Sequence, residues 1–156
     1  MLLNMLMRCW RRLVRSKFLF TSLLLAVAFS AACQQAASSA PFKKYADANE
    51  VPKISVADAK KEVDAGAAVI VDSRNEIVYK MEHITGSISV PNGSPKEKYD
   101  AVPKDKKVIV YCACNGEGTS INLAYQMNQA GFPNTYAMVE GFQGWKTAGH
   151  PMTKGE

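Results

Sequence analysis

The chain's 156 residues are enough for one domain and little more. Its formal net charge of +5 lies entirely in Arg8, Arg11, Arg12, Arg15 and Lys17, because from Gln34 onward 14 Lys and Arg face 14 Asp and Glu. The basic balance is therefore a property of the N-terminus, and it excludes any argument from charge for nucleic-acid binding.

The first segment reads as a secretory signal over residues 1–32. "RCWRRLVRSK" carries the positive charges and no negative one, and "FLFTSLLLAVAFSAA", Phe18 to Ala32, carries no charge at all. The apolar run is shorter than the roughly 18 or more residues that a permanent membrane helix needs. "SAAC" resembles the lipobox of bacterial lipoproteins, in which the cysteine is lipidated and becomes the first residue after cleavage. Ala31, Ala32 and Cys33 fit that pattern, whereas Ser30 stands where Leu is usual. Ordinary cleavage after Ala40 is the competing reading. The expectation is an exported protein of the bacterial envelope, periplasmic or held to a membrane by lipid on Cys33. Residues 33–50 are rich in Gln, Ala, Ser and Lys and read as a flexible tether. No internal repeat is visible.

Residues 51–156 read as the globular domain. Ser55 has the position of an N-cap, "VADAKKEVDA" is helical, and Gly66 ends it. "AAVIVD" is a near-continuous apolar run, as in a strand buried on both faces. "NEIVYKME" predicts a short helix, "SISVP" a short strand and "KKVIVYC" a second buried strand. "TSINLAYQMNQAG" predicts an amphipathic helix with Ile121, Ala124, Tyr125 and Asn128 along one side and Gly131 as its cap. "TYAMV" is a further strand and "FQGWKTAG" a last short helix. Strands alternating with helices predict an α/β domain, a parallel sheet with helices on both faces.

Of the four cysteines, Cys9 lies in the signal and Cys33 at its end, so only Cys112 and Cys114 fall in the domain. A pair one residue apart closes almost no loop, which favours reactivity over a structural disulfide. Both lie in "YCACNGEGTS", between a strand and a helix. There, backbone N–H groups can converge on an anion at the helix N-terminus, and Gly116 and Gly118 allow a tight curl. A cysteine at such a site is thiolate at neutral pH. The plainer reading is a glycine-containing turn beside a buried thiol.

Four segments carry a resemblance that goes further. "VIVDSR" (Val69 to Arg74) resembles the strand ending in D-x-R of the rhodanese family of sulfurtransferases. "EHITGSISVP" (Glu82 to Pro91) is similar to that family's H-I-x-G-A-x-x-x-P segment. "VIVYCAC" with the helix after it resembles the family's active-site strand, loop and helix. "EGFQGWKTAGHP" (Glu140 to Pro151) is similar to its G-G-x-x-x-W-x-x-x-G-x-P ending. The resemblance implies a single rhodanese-like domain with a sheet of five mainly parallel strands. It also implies a cysteine that accepts sulfane sulfur as a persulfide and passes it to a thiophilic acceptor. Partners would be a small sulfur donor and a thiol or protein acceptor. The lipid anchor would add a membrane. No cofactor, metal or nucleic acid is implied, and a monomer is expected.

Two registers compete for the nucleophile. Counting from the strand favours Cys112, since the family cysteine usually follows the strand's Tyr directly. Counting back from the helix favours Cys114, followed by a loop of Asn115, Gly116, Glu117, Gly118, Thr119 and Ser120. The helix register is preferred because loop length fixes how the loop closes on the helix N-terminus. Cys112 is then a buried core thiol or a resolving thiol. Many family members carry Arg near the loop's end. Here Thr119 stands there and Glu117 adds negative charge, so a dianionic donor such as thiosulfate is expected to be received poorly.

Asp72 and Arg74 are expected as supporting residues, an ion pair at a strand end that buttresses the loop. Arg74 is the one Arg after the signal. His83 resembles the family's structural His. Phe142 and Trp145 are read as core anchors, and the lysines from Lys104 to Lys107 as a solvated turn. The histidines and the C-x-C pair are too few for a zinc or copper site. The rival from another class is a catalytically silent rhodanese-like module serving as an envelope scaffold. A phosphatase would need a loop cation that this loop lacks.

Overall fold

The computed structural model describes residues 42–113 and 117–155. Seven strands and four α-helices follow in chain order. They are β1 (Lys53–Ile54), α1 (Val56–Asp64), β2 (Ala68–Asp72), α2 (Glu76–Met81), β3 (His83–Ile84) and β4 (Ile88–Ser89). After them come β5 (Lys107–Tyr111), α3 (Gly118–Gln129), β6 (Thr135–Met138), α4 (Gly141–Thr147) and β7 (Met152–Thr153). Among the described residues no helix is long and apolar enough to cross a membrane.

The main sheet has five strands in the order β1-β6-β5-β2-β4, all parallel. The apolar runs of β2 and β5 place them near its centre, and both are largely buried. Their register sets Ile70 opposite Ile109 and Asp72 opposite Tyr111. Because side chains alternate along a strand, each run feeds two cores. Val71, Val108 and Val110 pack with Leu123, Ala124 and Met127 of α3. Ala68, Ile70, Ile109 and Tyr111 pack with Val56 and Ala59 of α1 and Trp145 of α4. Helices therefore cover both faces.

Local signals set the ends. The Ser55 hydroxyl accepts the Asp58 N–H and starts α1, and Gly66 follows its end at φ +69°. α3 buries Ser120, Leu123, Ala124, Met127 and Asn128. The predicted stripe is therefore rotated: Ile121 and Tyr125 lie at the margin of the core. β4 is shorter than "SISVP" suggested, because only Ile88 and Ser89 pair with β2 at the sheet edge. A second, two-stranded antiparallel sheet joins β3 to β7, which the sequence did not announce.

One reading from composition gives way to contacts. Residues 43–50, taken as the end of the tether, dock on the domain. The Tyr45 N–H donates to Asn128 Oδ1 at 2.8 Å, and its hydroxyl donates to the Thr135 carbonyl at 3.0 Å. Ala48–Glu50 forms a 3-10 turn capped by Asp47. In the lysine run, Lys104 to Lys106 lie in bends, and Lys107 opens β5, as "KKVIVYC" predicts, and pairs with Glu62 at 2.6 Å.

Candidate active site

The carboxyl ends of β2 and β5 lie side by side because their register holds to the last residue. Ser73 and Arg74 leave one strand; Cys112 and Ala113 leave the other. The Ser73 N–H and hydroxyl both donate to the Tyr111 carbonyl, at 3.0 and 2.7 Å. The Val90 N–H donates to the Asp72 carbonyl and the Asn92 N–H to that of Ser73, each at 2.9 Å. These bonds draw the exit of β4 onto the same rim. Between them opens a pocket of about 420 Å³. Its described lining comes from Ser73, Arg74 and Asn75 after β2, Val78 on α2, Pro91 and Asn92 after β4, Cys112 and Ala113 after β5, and Thr119 on α3. No acidic residue lines it among the described residues.

Beneath the rim lies a buried polar network. Asp72 has no exposed surface, and Arg74 donates to it through Nε at 3.0 Å and Nη2 at 2.6 Å. Nη2 also reaches the Glu82 carbonyl at 2.8 Å. The Tyr111 hydroxyl donates to Asp72 Oδ2 and accepts the Ile84 N–H at 3.2 Å. The guanidinium lies 4.1 Å from the Phe142 ring centre, a cation–π contact that adds a second role to this residue's apolar packing. Burial opposes the Arg74 charge, but the Asp72 carboxylate outweighs it and holds the guanidinium above its ordinary pKa. Burial and then the Asp72 charge push the Tyr111 phenol up. Arg74 is thus largely spent on bracing the two strand ends. Deleting its head would leave a buried carboxylate uncompensated, at a cost of about 3–5 kcal/mol.

Cys112 keeps 1% of its surface exposed. Its carbonyl accepts the Phe142 N–H at 2.9 Å, which ties the start of the loop to α4. Gly141 makes that approach possible. It has φ +47°, and a Cβ there would come well inside 3.0 Å of the Cys112 carbonyl oxygen.

Cys114, Asn115 and Gly116 lie outside the described residues. The remaining predicted loop residues divide differently from expectation. α3 begins at Gly118, so Gly118, Thr119 and Ser120 form its first turn. The Ser120 hydroxyl turns inward and donates to the Glu117 carbonyl at 2.9 Å. Glu117 sits in the left-handed region at φ +53° and its carboxylate accepts from Lys53 Nζ at 2.9 Å. A cation from β1 therefore answers the loop's one negative charge. Lys53 was not singled out from the sequence. It stands 64 residues from Glu117 in the chain, and only the folded sheet brings the two together.

The other residues singled out lie away from the pocket. His83 stacks on Tyr79 with ring centres 3.9 Å apart, and its Nδ1 lies 2.9 Å from the Tyr79 carbonyl. Trp145 is buried, with its indole N–H donating to the Pro151 carbonyl at 3.1 Å. Among the described residues no three His, Cys, Asp or Glu side chains are placed to hold a metal ion.

Comparison with known proteins accords with this geometry. The family model of the rhodanese-like domain matches residues 55–148. Thiosulfate sulfurtransferase GlpE of Coxiella burnetii is 32% identical over 85 residues, covering 54% of this chain and 77% of that protein. Thiosulfate sulfurtransferase GlpE of Pseudomonas fluorescens is 36% identical over 80 residues, covering 51% and 72%. Among solved structures, the BH2092 protein of Bacillus halodurans matches in fold with a TM-score of 0.60 at 23% identity. The match covers 66% of this chain and 77% of that one.

Proposed function

Because this chain belongs to the family of rhodanese-like domains and has sulfurtransferase relatives, we propose that it carries sulfane sulfur as a persulfide on Cys114. In the first half-reaction the Cys114 thiolate attacks the donor's outer sulfur. A new S–S bond forms, the donor's bond to that sulfur breaks, and the electron pair leaves with the donor remnant. In the second, an acceptor thiolate bonds to the outer sulfur and the Cys114 thiolate departs. Each step moves one sulfur and needs no external oxidant or reductant, in ping-pong fashion.

The observation that carries this reading is the pocket at the ends of β2 and β5. Its lining includes Ala113 and Thr119, residues that flank Cys114 in the chain on either side. The burial of Cys112 supports Cys114 as the attacking thiol and Cys112 as a core or resolving thiol. On donor preference, Arg74 is largely committed to Asp72 and the Glu82 carbonyl, and Thr119 offers no charge. The expected preference is for persulfide or polysulfide over thiosulfate. Cleavage before a lipidated Cys33 would place the domain at a bacterial membrane surface, on the strength of the "SAAC" pattern alone.

Intact mass after exposure to polysulfide, persulfide and thiosulfate is the test. The chain should gain sulfur from at least one donor, and Cys114→Ser should gain none. The second reading is a catalytically silent rhodanese-like scaffold, favoured by a loop without Arg. Failure of every donor to load the chain would establish it.

A further inference from the structure

Exposed apolar surface is concentrated beside the pocket. Among the described residues three large hydrophobic side chains are exposed, and two of them, Ile77 at 75% and Met81 at 69%, lie on α2. Four residues apart, they form one ridge along the helix. Val78, three residues before Met81, lines the pocket. The ridge therefore runs onto the pocket's rim. Scattered single apolar residues are ordinary on a surface; here two stand one helical turn apart beside a candidate active site.

The ridge is held firmly. Asn75 Oδ1 accepts the Val78 N–H at 2.9 Å, and the Tyr79 hydroxyl donates to the Ser87 carbonyl at 2.7 Å. Glu76 pairs with Lys98 at 2.8 Å. At the other end of α2, Glu82 receives Lys146 at 2.5 Å and Lys154 at 4.0 Å. The Gly155 N–H donates to the Lys80 carbonyl at 3.1 Å, which brings the C-terminal segment alongside. Glu82 thus answers Lys146 and Lys154, while Glu76, paired with Lys98, also feels the Lys80 charge; four lysines face two carboxylates among the described residues, and positive charge is left over around the apolar pair.

We propose that Ile77 and Met81, with Lys80, Lys146 and Lys154, dock a protein sulfur acceptor that presents its thiol beside an apolar side chain and acidic residues. The inference rests on the transfer reading above. A thiol carried by a protein reaches the pocket only if its flanking residues lie on the rim, and α2 extends that rim with exposed apolar side chains. The surplus lysines steer an acidic partner and reject a basic one. Two side chains make a small contact, suited to a partner that binds weakly and leaves after each transfer.

The test uses the full chain loaded with sulfur from polysulfide. Three acceptors are compared: a cysteine peptide with leucine and aspartates beside the cysteine, the same peptide with lysines for aspartates, and 2-mercaptoethanol. The chain should prefer the acidic peptide, and the preference should fade with salt. The double variant Ile77→Ser, Met81→Ser should lose roughly tenfold in kcat/KM for the acidic peptide and nothing for 2-mercaptoethanol. Lys80→Glu with Lys154→Glu should invert the peptide preference. An unchanged peptide rate in the serine variant, or an equal loss for 2-mercaptoethanol, would overturn the proposal. So would a wild-type dimer in sedimentation that the serine variant abolishes without affecting peptide transfer, since the ridge would then belong to a second copy. If the wild-type chain never loads sulfur, the transfer reading fails first, and that result is distinct from all of these.

Discussion

Tyr111 shows how one side chain ties the fold to the site. Its ring belongs to the apolar core, while its hydroxyl joins Asp72, Arg74 and the Ile84 N–H. Burial first, and the Asp72 charge second, raise its pKa in the folded state. The unfolded phenol ionises near about pH 10. The stability tied to this proton is therefore complete below that pH and is lost as pH rises above it. Tyr111→Phe should lower the urea midpoint at neutral pH, because Asp72 loses a donor, yet flatten the alkaline fall. An equally steep fall in the variant would show that another group titrates. Lys53 and Thr119 bear on the donor. Lys53→Met should reduce kcat/KM for thiosulfate by leaving the Glu117 charge unanswered, with a modest loss of stability, because Lys53 is half exposed but the Glu117 side chain is only 15% exposed. Adding Glu117→Gln should restore it. Thr119→Arg should improve thiosulfate turnover selectively. A ratio of thiosulfate to polysulfide efficiency that stays fixed across these variants would show that loop charge does not select the donor.

Among the elements, the turn into α4 is as consequential as the loop it holds. Gly141 at φ +47° lets the Phe142 N–H reach the Cys112 carbonyl. Gly141→Ala should cost about 1–3 kcal/mol from backbone strain alone, with further loss from the Cβ clash. Sulfur transfer should fall more steeply than the denaturation midpoint, and a parallel fall would show that the turn serves stability only. Leu123→Ala on α3 should cost about 2–5 kcal/mol, since the residue is wholly buried against the sheet. The central strands were legible because continuous apolar runs mark burial on both faces, and α1 because Ser55 caps it. The two-residue strands β1, β3 and β7 were not, since pairing with distant partners, rather than any local run, defines them. The start of α3 was read to within one residue, at Thr119 rather than Gly118, although the left-handed conformation of Glu117 before it has no glycine to signal it. Its link to Lys53 has no local signature at all.

At the scale of the whole molecule, the rhodanese-like domain is one part and the proposed export signal another. If Cys33 is lipidated, the protein should partition with membranes, and Cys33→Ser should release it or block its processing. A soluble mature chain beginning near Pro41 would contradict that. Four motif segments in order made the family legible, and the structure sets three of them around one pocket: the ends of β2 and β5 and the exit of β4. The choice between two cysteines was less legible, because strand and helix registers point to different residues and only chemistry separates them. Peptide mapping after donor treatment tests the central claim most directly. The account predicts one extra sulfur on Cys114, lost in Cys114→Ser and retained on the same residue in Cys112→Ser. Extra sulfur on Cys112 that survives Cys114→Ser would contradict it.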